Sequence, residues 1–482
     1  MIRHWIGGAA ANGSAPRTGP VYNPATGEQT GAVGFATAAD VDKALQSARD
    51  ALSGWRATSL SKRAELFFRI RELVRDHRDE LARIVTREHG KVLSDAAGEV
   101  NRGLEVIDFC CGLPELLKGG YSEQASAGVD VYSIRQPLGV VAGITPFNFP
   151  VMVPMWMWAP ALACGNAFVL KPSEKDPSAS MFVAELLQRA GVPDGVFNVV
   201  HGDREAVDAV LEHPGIAAVS FVGSTKVAKI VYRRATASLK RCLALGGAKN
   251  HLIVMPDADR EMAATNIVAS MSGCAGQRCM AASVMVAVSK TDHIIDRMVD
   301  HARKIVPGKD IGPVISVAAK ERIEKYIAEA EAAGAKVLVD GRRAVVKGKE
   351  SGYFIGPTII DHVTPDMKIA QEEVFGPVLV IIRAKNVDEA LKVENASPYG
   401  NAASVFTESG GTARYVMEHA SAGMVGVNVG VPVPREPFSF GGWNDSKFGV
   451  GDITGRGSIE FWTQAKKMTT KWNKEAGTNW MS

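Results

Sequence analysis

The sequence predicts an α/β protein with a doubly wound parallel sheet, and three observations carry that expectation. Short β-rich runs at 137–143, 167–171, 196–200, 217–221 and 251–255 alternate with helical stretches at 178–190, 205–212 and 226–235. The same rhythm returns past Cys279, with strands at 335–339, 378–382 and 402–406 and helices at 317–333 and 387–394. Gly- and Pro-rich loops punctuate the second half, as in 372–377 and 428–434. In such a sheet, ligands sit at the carboxyl ends of the strands.

In chain order, a turn-rich entry at 21–27 reads as hairpin-like. Helical periodicity follows at 40–55 and 60–88, with charged residues on the outer faces. A third helix, 94–117, carries Arg102. Residues 129–134 alternate as an edge strand does. The most apolar run, 151–164, falls short of the roughly 20 residues that cross a bilayer and reads as a buried helix. From Met262, Ala263, Ile267, Met271 and Cys274 recur at helical spacing until Gly276 breaks the pattern. A strand follows at 283–288, and the tail 458–472, with alternating Ile459, Phe461 and Thr463, reads as a strand used in assembly.

Length and composition narrow the class. The 482 residues suffice for two or three domains with full cores, and 46% hydrophobic with 22% charged residues is an ordinary globular profile. A net charge of +3 with scattered Lys and Arg gives no footprint for nucleic acid, and nothing in it favours a membrane. Six cysteines without CxxC spacing and ten histidines without an HExxH or His-Cys cluster imply a reducing compartment and no metal. No signal segment is read at the N-terminus, so the expectation is a cytoplasmic protein.

Cys279 is the candidate nucleophile because it follows Gly276-Gln277-Arg278 on a helix-to-strand loop. A thiol attacks only as thiolate, and a guanidinium with nearby backbone N–H groups can bring its pKa from about 8.5 toward neutrality. Phe221-Val-Gly-Ser-Thr225 reads as strand, turn and helix cap, so that a helix N-terminus faces a phosphate, although the usual GxGxxG fingerprint is absent. Lys171-Pro-Ser-Glu174 ends another strand; a carboxylate there suits ribose hydroxyls and repels a 2′-phosphate, favouring NAD over NADP.

Together these motifs resemble the aldehyde dehydrogenase superfamily over essentially the whole chain. The resemblance is carried by Thr145-Pro-Phe-Asn-Phe-Pro150, Asn166-Ala-Phe-Val-Leu-Lys-Pro-Ser-Glu174, Phe221-Val-Gly-Ser-Thr225, Leu245-Gly-Gly247, Gly276-Gln-Arg-Cys279 and Glu373-Val-Phe-Gly-Pro377. It implies a Rossmann-variant NAD-binding domain at 1–118 and 136–245, an α/β catalytic domain at 246–457, and a β oligomerisation arm at 119–135 and 458–482. It implies that Cys279 attacks an aldehyde while Asn148 and the Cys279 N–H hold the oxyanion. The implied NAD contacts are Lys171 and Glu174 at the adenosine ribose, Gly223 and Ser224 at the pyrophosphate, and Glu373 and Phe375 at the nicotinamide end. Thr145, Phe147, Ser173 and Gly246 complete that set, and a homotetramer is implied as the assembly.

One departure narrows the chemistry. Hydrolytic members carry Glu-Leu-Gly-Gly, whose Glu activates water, whereas this chain has Ala244-Leu-Gly-Gly247. Without that base a thioester hydrolyses slowly, since such a base commonly contributes about 100-fold or more. Coenzyme A is the expected acyl acceptor, a thiol needing less assistance than water. Ala248-Lys-Asn-His251, Pro154-Met-Trp-Met-Trp158 and Gly-Gln-Arg-Cys-Met280 resemble the CoA-acylating branch, the methylmalonate-semialdehyde dehydrogenases. That likeness implies a small carboxylated aldehyde, with Arg102 and Arg278 on its carboxylate and Phe149, Phe438 and Phe440 at the pocket wall. Arg278 has two other readings, a thiol-activating cation or a loop brace. Arg435-Glu-Pro-Phe438 departs from the apolar residues usual there, which leaves another small acidic aldehyde open. A hydrolytic dehydrogenase and a non-catalytic scaffold remain as competing readings.

Overall fold

A computed structural model describes residues 1–472, so the last ten residues of the arm segment read from the sequence, 473–482, lie outside the described residues. Five parallel strands form the heart of the first sheet, in the order Phe197–Val199, Ala167–Lys171, Val140–Ile144, Ala218–Val222, Arg241–Leu245. Antiparallel strands His4–Ile6 and Lys447–Gly449 extend it at either side. The strand order reverses beside Val140–Ile144, which makes the gap between it and Ala218–Val222 the switch point where a crevice opens. Thr145 to Asn148 leave one of these strands and Gly223 leaves the other.

A second sheet runs Lys336–Val339, Thr358–Asp361, Val378–Ala384, Ala282–Val288, Asn250–Val254, Ala402–Phe406, Met424–Val427, parallel except for its first pair. Residues 246–249 join the end of one sheet to the beginning of the other. The carboxyl edge of the first sheet therefore faces the amino edge of the second. The helix Met152–Ala163 is buried along its whole length beneath the first sheet, as its uninterrupted apolar composition requires.

Several boundaries differ from the sequence reading. The helix expected at 60–88 breaks at His77 into Leu60–Asp76 and Arg78–His89, and the His77 ring contacts the Leu73 carbonyl. The one expected at 94–117 stops at Cys111, because Gly112 and Pro114 restart a short turn, Leu113–Leu116. Val129–Pro137 is no edge: it is the middle of a three-stranded antiparallel sheet between Tyr121–Ser126 and Thr463–Lys471. Its residues are mostly half-buried, so its alternation is weak and mimics an edge. The tail is a strand only from Thr463; Gly455–Trp462 is a helix whose Ser458, Ile459, Phe461 and Trp462 pack inward.

Asn166 ties three of these parts together. Its Oδ1 accepts the Leu138 and Gly139 N–H groups at 2.7 and 3.0 Å, while its Nδ2 donates to the Ala161 and Trp462 carbonyls, both at 3.0 Å. Asn166→Ala removes the side-chain partner of two part-buried N–H groups and of the buried Trp462 carbonyl, a loss of about 3 kcal/mol. A clear fall in the thermal unfolding midpoint is the expected result, and an unchanged midpoint would remove this role.

Candidate active site

Cys279 lies where the two sheets face each other. The helix Arg260–Ser272 ends in a 3-10 turn, Gly273–Gly276, in which Cys274 and Ala275 adopt positive φ of 51° and 53°. Gly276 follows at φ 70°, where a Cβ would come within 2.0 Å of the Gly376 carbonyl oxygen. Only glycine fits that crossing of two loops. Beyond it the chain is pinned by amides: the Cys279 carbonyl accepts from Asn250 Nδ2 at 2.8 Å and from Asn401 Nδ2 at 2.9 Å. Asn250 also donates to the Ala281 carbonyl at 2.9 Å, and the buried Gln277 Oε1 accepts from Ile315 N. The nucleophile loop is thus held from three sides.

Asn148 approaches from the first sheet and donates Nδ2 to the Gln277 carbonyl at 3.1 Å. One of its two amide hydrogens is used there. Its own carbonyl accepts from the Lys91 ammonium at 2.6 Å, and Lys91 also donates to Glu99 at 2.7 Å. The other Glu99 oxygen accepts the Val151 and Met152 N–H groups at the start of the buried helix. Burial opposes the Lys91 charge, but Glu99 and nearby acidic groups raise its pKa and keep it an ammonium. The ring of Phe149 sits 4.3 Å from that ammonium.

Cys279 borders two cavities. A larger one, about 630 Å³, is lined by Phe147, Asn148, Gly223, Ser224, Gly246, Glu373 and Phe375, among others. A smaller one, about 360 Å³, includes Arg102, Phe149, Trp156, Arg278, Arg435 and Phe440 in its wall. The larger has the polarity and glycines that a dinucleotide needs. Gly246 and Gly247 admit no side chain, since a Cβ would stand 2.7 Å from Thr225 Oγ1 and 2.4 Å from the Glu373 carboxylate respectively. Thr225 Oγ1, which opens the helix Thr225–Ala237, accepts the Gly247 N–H at 2.8 Å and donates to the Asp445 carbonyl. Ser224 occupies the helix cap position, yet its hydroxyl makes no capping bond, so the cap anticipated there is absent. Phe147 meets Phe375 edge-on at 5.9 Å.

Lys171, Ser173, Glu174 and Thr145 stand at neighbouring strand ends outside the lining of that cavity. Lys171 pairs with Glu174 at 3.2 Å, and the Thr145 N–H donates to the Lys171 carbonyl at 3.1 Å. Phe438 does not join Phe440: it is 73% exposed, because a turn that returns its N–H to the Arg435 carbonyl points it away from the pocket. Phe440 packs instead on Trp156 at 5.1 Å.

Arg278 acts on the thiol in the expected direction but weakly, and its guanidinium also pairs with Asp95 at 3.0 Å. Burial pushes the Cys279 thiol up to about 12, Glu373 adds to the rise, and the Cys279 and Met280 N–H groups and Arg278 pull back less. Glu373 itself is pushed by burial up to about 7 while it accepts the Ala248 N–H at 3.1 Å. Buried Lys249 beside it falls to about 7. In this state the cysteine is a protected thiol.

Asn250, Asn401, Lys91, Glu99 and Asp95 were not singled out from sequence. Asn250 and Asn401 come just before or at strand starts, a position that a β-pattern can find but whose target it cannot.

The chain belongs to the aldehyde dehydrogenase family, whose profile it matches over residues 11–468. It is 44% identical over 490 residues to malonate-semialdehyde dehydrogenase from Pseudomonas aeruginosa, covering 98% of this chain and 97% of that one. Malonate-semialdehyde dehydrogenase 1 of Geobacillus thermodenitrificans is 46% identical, with 98% and 99% covered. The crystal structure of methylmalonate-semialdehyde dehydrogenase from Oceanimonas doudoroffii superimposes with a TM-score of 0.97 at 47% identity, covering 98% and 99%. A Sinorhizobium meliloti protein complexed with NAD gives the same TM-score and identity, covering 98% of both chains.

Two outcomes follow from the site. Lys91→Met leaves the Glu99 carboxylate buried without its cation and lowers stability by about 3–5 kcal/mol, read as a fall in denaturation midpoint; adding Glu99→Gln recovers part of the loss. Glu373→Gln removes a charge that raises the Cys279 pKa, so iodoacetamide labelling of Cys279 in the ligand-free protein at about pH 8 speeds up roughly threefold or more. Labelling that slows in this variant would contradict the assigned sign.

Proposed function

We propose that this aldehyde dehydrogenase oxidises malonate or methylmalonate semialdehyde with NAD and transfers the resulting acyl group to coenzyme A. The observation that carries the acylating part is Ala244: it is buried within the strand Arg241–Leu245, where hydrolytic relatives by the motif comparison carry a carboxylate. Of the carboxylates bordering the two cavities, three are held by a cation or a hydroxyl, and Glu373 is held through one oxygen by a backbone N–H. Asp95 holds Arg278, Glu99 holds Lys91, Glu372 accepts from the Tyr326 hydroxyl, and Glu373 accepts the Ala248 N–H. Glu373 keeps its other oxygen without a hydrogen-bond partner among the described residues, and it is the group that the experiment below must exclude as a base. The names of the relatives support the substrate class, and the NAD bound in one of the similar structures supports the cofactor.

In this reading Cys279 gives its proton to water, and its sulfur bonds to the aldehyde carbon as the C=O π pair moves onto oxygen. The second Asn148 amide hydrogen and the Cys279 N–H receive the oxyanion, and one such donor is worth about 3 kcal/mol. Phe147, Gly223, Ser224, Gly246, Glu373 and Phe375 in the larger cavity, with Thr145, Lys171, Ser173 and Glu174 at the strand ends beyond it, would hold NAD, which when bound would supply the hydride acceptor. Loss of hydride leaves a thioester on Cys279. Its β-carboxylate departs as CO2 because the thioester carbonyl takes up the C–C electron pair as an enolate, whose carbon then takes a proton from solvent to give the acetyl or propionyl thioester. The cations along the smaller cavity, Arg102 and Arg278 among them, suit that carboxylate.

We extend the same reading to organisation. Residues 1–118 and 136–245 are read as the cofactor domain and 246–457 as the catalytic domain, a division that the two sheets support except at Lys447–Gly449, which pairs at the edge of the first. The three-stranded sheet with exposed Tyr121 and Trp472 is read as the oligomerisation arm of a cytoplasmic homotetramer, its apolar side chains suiting a subunit contact.

A hydrolytic alternative has one candidate base, Glu373, whose carboxyl group titrates at about 7 beside Cys279. The deciding experiment is NADH formation from malonate semialdehyde under multiple turnover, with products identified by mass. The acylating reading gives one burst per subunit without coenzyme A and steady turnover to acetyl-CoA and CO2 with it. Equal steady rates yielding a free acid, increasing as pH rises through about 7, would transfer the assignment to Glu373-assisted hydrolysis.

A further inference from the structure

The three guanidiniums bordering the smaller cavity, Arg102, Arg278 and Arg435, are not equivalent. Arg278 is committed: Asp95 Oδ1 takes its Nη2 at 3.0 Å, and Asp95 Oδ2 accepts the Cys274 N–H at 2.8 Å, so the loop itself holds this carboxylate in place. Arg102 is committed differently. One of its nitrogens contacts Glu105, one turn along the same helix, and the other donates to the Pro434 carbonyl at 3.3 Å. Both oxygens of Glu105 in turn accept from Arg435 Nη1, at 2.6 and 2.5 Å.

One carboxylate therefore bridges two cations. Arg102 is the more enclosed of the pair, with 18% of its side chain exposed against 65% for Arg435. Two other acids border the outer side, Asp108 and Glu436; Glu436 acts on Arg102 electrostatically without an ion pair to it. Were Glu105 the partner of Arg102 alone, a substrate carboxylate could claim Arg102 only by leaving Glu105 without a cation. Arg435 removes that obstacle, because Glu105 keeps a partner when Arg102 turns to the substrate.

We propose that Arg435 is a positioning residue: it retains Glu105, releases Arg102 to the carboxylate of the substrate, and thereby sets the preference for carboxylated over neutral aldehydes. The inference rests on the functional reading above, in which Arg102 meets that carboxylate.

The test compares kcat/KM for malonate semialdehyde and for propanal in the full-length enzyme with NAD and coenzyme A. Arg435→Leu lowers the ratio of the two about tenfold, chiefly through KM of the carboxylated substrate. Adding Glu105→Gln, which removes the carboxylate in contact with Arg102, restores the ratio to within about threefold of wild type. A preference that survives Arg435→Leu, or a loss that Glu105→Gln does not repair, overturns the proposal while leaving the functional reading in place. A wild type that does not favour malonate semialdehyde over propanal overturns both.

Discussion

The Lys91–Glu99 pair is the interaction on which the rest of the site depends. Both side chains are shut away from solvent, and the desolvation they suffer is tolerable only because every oxygen and the ammonium have partners. Those partners are the loop that carries Asn148 and the first turn of the buried helix Met152–Ala163. One ion pair thus fixes the direction of an amide and the origin of a helix together. It also explains why Asn148 approaches the nucleophile loop at hydrogen-bond range without being part of it.

The second constraint is how two sheets share a seam. A parallel sheet offers its carboxyl edge to ligands, and the crevice at its switch point is closed by the amino edge of the other sheet. Asn250 and Asn401 stand at that amino edge and clamp the Cys279 carbonyl. The cysteine is held by its backbone, leaving its sulfur to face both cavities. Burial in this arrangement holds the thiol protonated, with Glu373 adding to the rise and Arg278 opposing it only weakly.

The legible parts of the sequence were those with strong local signals. The alternating strands and helices of the first sheet, the buried apolar helix and the glycine that breaks before Cys279 all follow from periodicity or backbone sterics. The arm was harder. Val129–Pro137 is central in a sheet that is half-open to solvent, so its burial contrast is too low to separate it from an edge. In the tail, Ile459 and Phe461 alternate by position but pack on a helix, because two residues two apart fit a strand or part of a helical face equally well. Within the site, the sequence left Arg278 with three readings, and its partner Asp95, far back in the chain, was not legible from them. Phe438 and Phe440 looked equivalent until the turn at Arg435 sent one outward.

With Ala244 in place of a carboxylate, an acyl thioester on Cys279 outlives its formation until a thiol takes the acyl group. Mass analysis of the protein mixed with NAD and malonate semialdehyde, before and after coenzyme A is added, tests it most directly. The account predicts an acyl adduct on the peptide containing Cys279 that persists without coenzyme A and disappears when it is supplied. An unmodified Cys279 peptide while NADH continues to accumulate without coenzyme A would contradict it.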